Sequence, residues 1–176
     1  MTHHETPASE TASRPAVAGG ALRPAVILGG NRIPFARANT AYAEVGNQEM
    51  LTATLDGLVA RFGLQGERLG QVTAGAVLKH PRNFNLTREA VLGSALSAAT
   101  PAADVQVACA TGMEALGILA DKIRLGQIDS GIGGGVDSIS DAPIVVTDEL
   151  RGILMEANRA KTAGQRLKAL AKIRPG

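Results

Sequence analysis

A chain of 176 residues, 45% hydrophobic and 19% charged, has the length of one domain and the apolar content of a soluble globular protein. Its single cysteine excludes an internal disulfide, and 18 basic against 16 acidic side chains leave a net charge of only +2. No apolar run reaches the roughly 18 residues of a membrane-spanning helix.

Thirty alanines and 21 glycines stand beside only four aromatic residues, Phe35, Tyr42, Phe62 and Phe84. That balance predicts a core of aliphatic side chains and closely approaching backbones, which suits a layered α/β interior better than an aromatic-anchored sandwich. Residues 1–22 contain no apolar h-region and place Glu5 and Glu10 where a signal peptide carries positive charge. They read as a flexible, solvated leader, and the adjacent His3 and His4 as solvated side chains rather than a metal site. With one free cysteine, this favours a reducing, cytoplasmic compartment.

The run Ala25–Leu28, ending in Gly29-Gly30, predicts a buried strand and a turn. Residues 47–62 predict a helix with Asn47 as its cap. Met50, Leu51, Leu55, Leu58, Val59 and Phe62 form its apolar face, and Gly63 its stop. Val72–Leu78 reads as a buried strand, Lys79–Leu86 as a polar loop, and Thr87–Ser97 as a helix. Asp104–Ala108 reads as a strand with Val105 and Val107 in alternation, and 109–112 as a turn. Met113–Leu125 then predicts a helix whose stripe is Met113, Leu116, Leu119, Ala120 and Ile123, stopped by Gly126. Ile128–Gly135 predicts one more strand. Strands alternating with helices imply a mostly parallel sheet covered by helices.

Charge is unevenly placed. Residues 1–150 hold 11 basic and 15 acidic groups, net −4. Residues 151–176 hold seven basic groups (Arg151, Arg159, Lys161, Arg166, Lys168, Lys172 and Arg174) against Glu156, net +6. A solvated basic helix face is the plain reading of that tail, and an anionic ligand or surface the alternative. No zinc-ligand set or aromatic ribonucleoprotein motif points to nucleic acid.

Cys109 falls between a strand and a helix start. There the free N–H groups and dipole of the helix would stabilise a thiolate, and could also donate to an oxyanion formed when the sulfur attacks a carbonyl. Ala108, Ala110 and Gly112 leave room for an acyl group beside the sulfur. An inert, buried core thiol is the alternative.

The stretches VQVACATGMEALG (105–117) and GGVDSISDAP (134–143) resemble the two signature stretches of the N-terminal half of the thiolases. Asn31–Arg37 is similar to the family's Arg-Thr-Pro-Phe stretch, and Asn85–Arg88 to the segment opening the helix before the catalytic strand. The resemblance implies a thiolase-like layered fold with three parts: the leader 1–22, an N-terminal domain 23–146, and the start of the inserted loop domain at 147–176. It implies an acyltransferase (acetyl-CoA C-acetyltransferase or 3-ketoacyl-CoA thiolase, the bacterial fatty-acid oxidation type) with Cys109 as the nucleophile. It further implies coenzyme A as substrate or product with no permanently bound cofactor and no metal. No nucleic-acid or membrane partner is implied. Ala108–Gly112 also resembles the nucleophile turn of the β-ketoacyl-acyl carrier protein synthases, a rival condensing-enzyme reading.

Thiolases draw a base from a Gly-His-Pro stretch and a second cysteine from a Cys-x-Gly-Gly stretch. Neither stretch occurs in these 176 residues, and His80 reads as a loop residue. The resemblance therefore implies a truncated chain, incomplete on its own. Its partners would be a C-terminal half or further copies of itself, with a non-catalytic fragment or assembly partner as the alternative.

Overall fold

A computed structural model describes residues 22–173; His3, His4, the rest of the leader before Leu22, and Arg174 lie outside the described residues. The chain divides into two compact units, with the division between Asp141 and Ala142.

In the first unit, helix α1 (Asn47–Phe62) presents Met50, Leu51, Leu55 and Val59 to the interior, and Phe62 at its end is partly exposed. The cap differs from expectation. Gly46 occupies the N-cap position, and the Asn47 side-chain amide instead donates to the Leu78 carbonyl at 3.0 Å, tying α1 to the loop beyond the first strand. Gly63 ends the helix at φ 64°, a conformation that costs glycine nothing.

Three short strands, β1 (Gln71–Ala74), β2 (Ala102–Asp104) and β3 (Gly131–Gly133), form a parallel sheet in the order β2-β1-β3. Val72 lies opposite Ala102 on one side and Ile132 on the other. Side chains alternate across a strand. Val72 and Ala74 join the core with α1 and with α2 (Leu86–Gly93), whose Leu86, Ala90 and Val91 are fully buried. Gln71 faces the other way, where its side-chain amide oxygen Oε1 accepts from the Lys122 ammonium of helix α3 (Thr111–Arg124). Helices thus cover both faces of a parallel sheet, as the alternating pattern predicts. Removing Leu55 or Leu86 side chains from water stabilises the fold by about 2 kcal/mol each.

Several expected elements are shorter or elsewhere. The Ala25–Leu28 run forms no helix or strand and pairs with no strand among the described residues, and Val26, Ile27 and Leu28 are exposed. The predicted strand 72–78 keeps its ladder only to Ala74. The predicted strand 104–108 contributes only its first residue to β2, plus one further bond from Val105 N–H to the Ala74 carbonyl (2.9 Å), before the chain turns. The predicted strand 128–135 narrows to β3, beyond which Gly134 and Val136 N–H groups still donate to Thr73 and Gly75 carbonyls. Helix α2 stops at Gly93 rather than Ser97. The Ser94 hydroxyl donates to the Val91 carbonyl, and the Asp56 carboxylate draws the Ala95 N–H out of the helical path.

The stripe expected on α3 is also corrected: its buried residues are Thr111, Ala115 and Leu119, while Met113 and Leu116 are exposed. The helix lies on glycines. A Cβ on Gly131 would come within 2.9 Å of Leu119, and one on Gly133 within 2.9 Å of Leu116. The glycines of β3 thus leave room for the leucines and backbone of the helix, which gives part of the glycine excess its physical meaning.

Asp104, at the end of β2, fastens this framework. Its carboxylate accepts from the Lys79 ammonium at 2.7 Å and from the Leu86 and Thr87 N–H groups, which open α2, at 3.1 and 2.8 Å. Burial pushes its pKa up, but the hydrogen bonds from Lys79 and Thr87 and the lysine charge together outweigh burial and hold it below 3.8. A carboxylate held down in the folded state stabilises above its unfolded value and loses that contribution as pH falls through the folded one. Asp104→Asn should cost about 2 kcal/mol at neutral pH and flatten the acid limb of stability. Urea midpoints of both proteins from neutral to acid pH measure this; parallel pH profiles would contradict it.

In the second unit, α4 (Asp148–Arg159) and α5 (Ala163–Leu170) are each capped by a threonine. The Thr147 and Thr162 hydroxyls accept from Leu150 and Gln165 N–H groups, both at 3.3 Å. Ile153, Ala157 and Ala169 are buried, and the Lys172 ammonium meets the Glu156 carboxylate at 2.6 Å. The described basic side chains of the tail are all exposed, a solvated face as expected. Arg151 and Arg159 line an open groove of about 500 Å³ together with Glu156 and Gln165.

Candidate active site

Sequence puts a small-residue turn between β2 and α3, and the structure makes it a tight one. The Ala110 N–H donates to the Val107 carbonyl (2.9 Å) and the Thr111 N–H to the Ala108 carbonyl (3.2 Å). Cys109 sits at the crest, exposed, two residues before α3 begins at Thr111. The thiol is not part of the core, so the buried-thiol alternative does not describe it. Ala108, immediately before it, adopts φ 45°, in the left-handed region that a residue with a Cβ enters at a cost of about 1–2 kcal/mol.

Around Cys109 lies a cavity of about 530 Å³. Three sequence stretches that are far apart in the chain line it: Asn31–Arg37, the turn itself, and Gly135–Ser140. Each is held by an identifiable bond. The Asn39 N–H, just beyond the first stretch, donates to the Ser140 hydroxyl at 2.8 Å. The Asp137 carboxylate accepts from the Val77 and Leu78 N–H groups at 3.0 and 2.8 Å, fixing the third stretch against the loop after β1. At the mouth, the Arg32 guanidinium stacks 3.9 Å from the centre of the exposed Phe35 ring. At Gly135 this wall packs against the helix start at ordinary contact distance. A Cβ there would lie 3.4 Å from the Gly75 carbonyl and 3.7 Å from the Gly112 nitrogen.

His80 is not at this site. Its Nδ1 accepts from the Arg82 N–H at 3.1 Å and caps the short 3-10 turn Pro81–Asn83, a loop role as expected. Among the described residues no group of three or more His, Cys, Asp or Glu side chains could hold a metal ion, and no helix is long and apolar enough to cross a membrane. Sequence reasoning missed the structural work of Asp104, Thr111 and Asp137. Asp137 stands within a quoted signature stretch, but its reach back to residues 77 and 78 carries no local signal.

Fold and site together define a parallel α/β protein whose free cysteine crowns a strand-to-helix turn and opens into a cavity. The chain belongs to the thiolase family, matching its N-terminal domain over residues 25–172. It is 41% identical over 148 residues to a 3-ketoacyl-CoA thiolase of Photorhabdus laumondii, covering 84% of this chain and 34% of that protein. It is 34% identical over 171 residues to the mouse mitochondrial trifunctional enzyme subunit beta, covering 97% and 36%. The crystal structure of the Bacillus anthracis acetyl-CoA acetyltransferase superposes with a TM-score of 0.69 at 25% identity, over 73% of this chain and 33% of that one. The chain thus spans about a third of the length of these relatives.

Proposed function

We propose that this chain carries the nucleophile half of a thiolase-type acyltransferase, with Cys109 accepting the acyl group of an acyl-CoA. The observation that carries the reading is the placement of an exposed thiol at the crest of the β2–α3 turn, facing a 530 Å³ cavity walled by all three family-like stretches. The Cys109 sulfur attacks the thioester carbonyl carbon. The new carbon–sulfur bond forms as the bond to the coenzyme sulfur breaks, and coenzyme A leaves with the proton that Cys109 gave up. A thiolate suits both directions, being a good nucleophile and a good leaving group. No permanently bound cofactor enters this step.

The exposed arginines of the α4–α5 groove offer positive charge to an anionic group such as a phosphate, and residues 147–176 are the start of the family's loop domain in this reading. Residues 23–146 form the N-terminal domain in this reading. Carbanion formation calls for the base and the second cysteine of stretches absent from these 176 residues. The exposed apolar side chains Val26, Ile27, Leu28, Met113 and Leu116 are the surface such a C-terminal half would cover. A free thiol that must remain reduced fits a cytoplasmic setting.

Incubation with acetyl-CoA should add one acetyl group to the intact mass, mapping to the Cys109 peptide and removable by free coenzyme A. An unmodified chain, or an adduct elsewhere, would defeat the proposal. Transfer from an acetylated acyl carrier protein but not from acetyl-CoA would favour the synthase reading, which rests on the same Ala108–Gly112 turn.

A further inference from the structure

Thr111 is the first residue of α3, buried to 5% exposure, and its side chain faces two ways. Its methyl group packs on the sheet, where a Cβ on Gly75 would lie 3.1 Å from it. Its hydroxyl turns back into the nucleophile turn, accepting from the Val107 N–H at 2.9 Å and donating to the Ala108 carbonyl at 2.8 Å. These are the polar groups that flank the left-handed residue Ala108 at φ 45°. The direction in which the chain leaves residue 108 sets where the Cys109 side chain points. An alanine left to itself prefers negative φ, and relaxing there would swing Cys109 away from the cavity.

We propose that Thr111 is a positioning residue for Cys109: its hydroxyl, anchored on the sheet by its methyl group, clamps Ala108 in the left-handed conformation that aims the thiol into the cavity. The inference rests on reading Cys109 as the reacting group. It assigns Thr111 no contact with substrate.

Alkylation by iodoacetamide tests it without any acyl donor, because the chain has no other thiol. The sulfur displaces iodide, and the second-order rate across pH reports how the thiol is presented. Thr111→Val keeps the shape and the methyl group but loses the hydroxyl, and Thr111→Ser keeps the hydroxyl. Thr111→Val should slow alkylation of the folded chain by about tenfold or more, while Thr111→Ser stays within about threefold of the unsubstituted chain. In denaturant all three should react alike.

Ala108→Gly removes the penalty that the clamp opposes, so adding Thr111→Val in that background should leave the rate nearly unchanged. This pair also gives the answer if Thr111→Val alone fails to fold. Unslowed alkylation of Thr111→Val, an equal loss in Thr111→Ser, or a tenfold gap persisting in the Ala108→Gly background would each overturn the proposal. Absence of acetylation by acetyl-CoA alongside the expected alkylation pattern would sink the acyltransferase reading and leave this one standing.

Discussion

Replacing Gly75 by alanine is expected to destabilise the first unit by about 3 kcal/mol, the upper end of what overpacking usually costs. Gly75 follows β1 directly, and an added Cβ would overlap the Val105 carbonyl oxygen and press on the Thr111 methyl group. The carbonyl cannot simply move aside, because the Val105 N–H of the same residue is bonded to the Ala74 carbonyl and continues the β1–β2 ladder. Relief would have to break that bond, displace α3, or both. Gly117→Ala is the matched contrast. Gly117 lies inside α3 with nothing within 4 Å of the new methyl group, so that change should stabilise by about 0.5–1 kcal/mol through helix propensity. Urea denaturation of the three chains would show opposite shifts of midpoint. A Gly75→Ala chain as stable as the parent would mean that β1 and the Cys109 turn are not packed as described.

That pairing also shows what could be read ahead of the structure. Glycine abundance predicted close backbones, but not which glycines carry the contacts, because Gly75 and Gly117 look alike in sequence and differ only in what lies opposite. Helix α1 was legible in its span though not in its cap, since a long apolar periodicity and a terminal glycine are local signals. Strands β1 and β3 were legible in place but not in length, because small and apolar residues continue past the point where the ladder ends, whereas β2 begins two residues ahead of the expected strand and shares only Asp104 with it.

The buried face of α3 was misread for a related reason. A stripe chosen by side-chain size takes in the exposed Met113 and passes over the buried Thr111 and Ala115, while Leu119 and the partly open Leu116 do lie against Gly131 and Gly133. Ala25–Leu28 reads as buried because its composition is apolar, but burial needs a partner, and the described residues pair nothing with it. At the site, Cys109 stood out by its position between strand and helix. Thr111 did not, although a hydroxyl at the first helical position, within reach of the preceding turn, was a signal that could have been followed.

Cys109→Ser is expected to abolish acyl transfer, slowing coenzyme A release from acetyl-CoA on the order of a thousandfold or more. The side chains are close in shape, so the loss would be one of nucleophilicity, a serine hydroxyl being almost wholly protonated at neutral pH without an adjacent base. Because residue 109 is exposed and outside the core, the substitution should move stability by no more than about 0.5 kcal/mol. A missing adduct would then report chemistry, not unfolding. In the unsubstituted chain, chromatographic quantification of coenzyme A should show a single release of one equivalent per chain and then no turnover, with no acetoacetyl product. In the proposed reading the thioester on Cys109 needs only groups that this chain supplies, whereas the carbon–carbon bond calls for the base of the Gly-His-Pro stretch, which these 176 residues do not include. Steady turnover would show that another residue of this chain supplies that base, and coenzyme A release undiminished in Cys109→Ser would remove Cys109 from the reaction altogether.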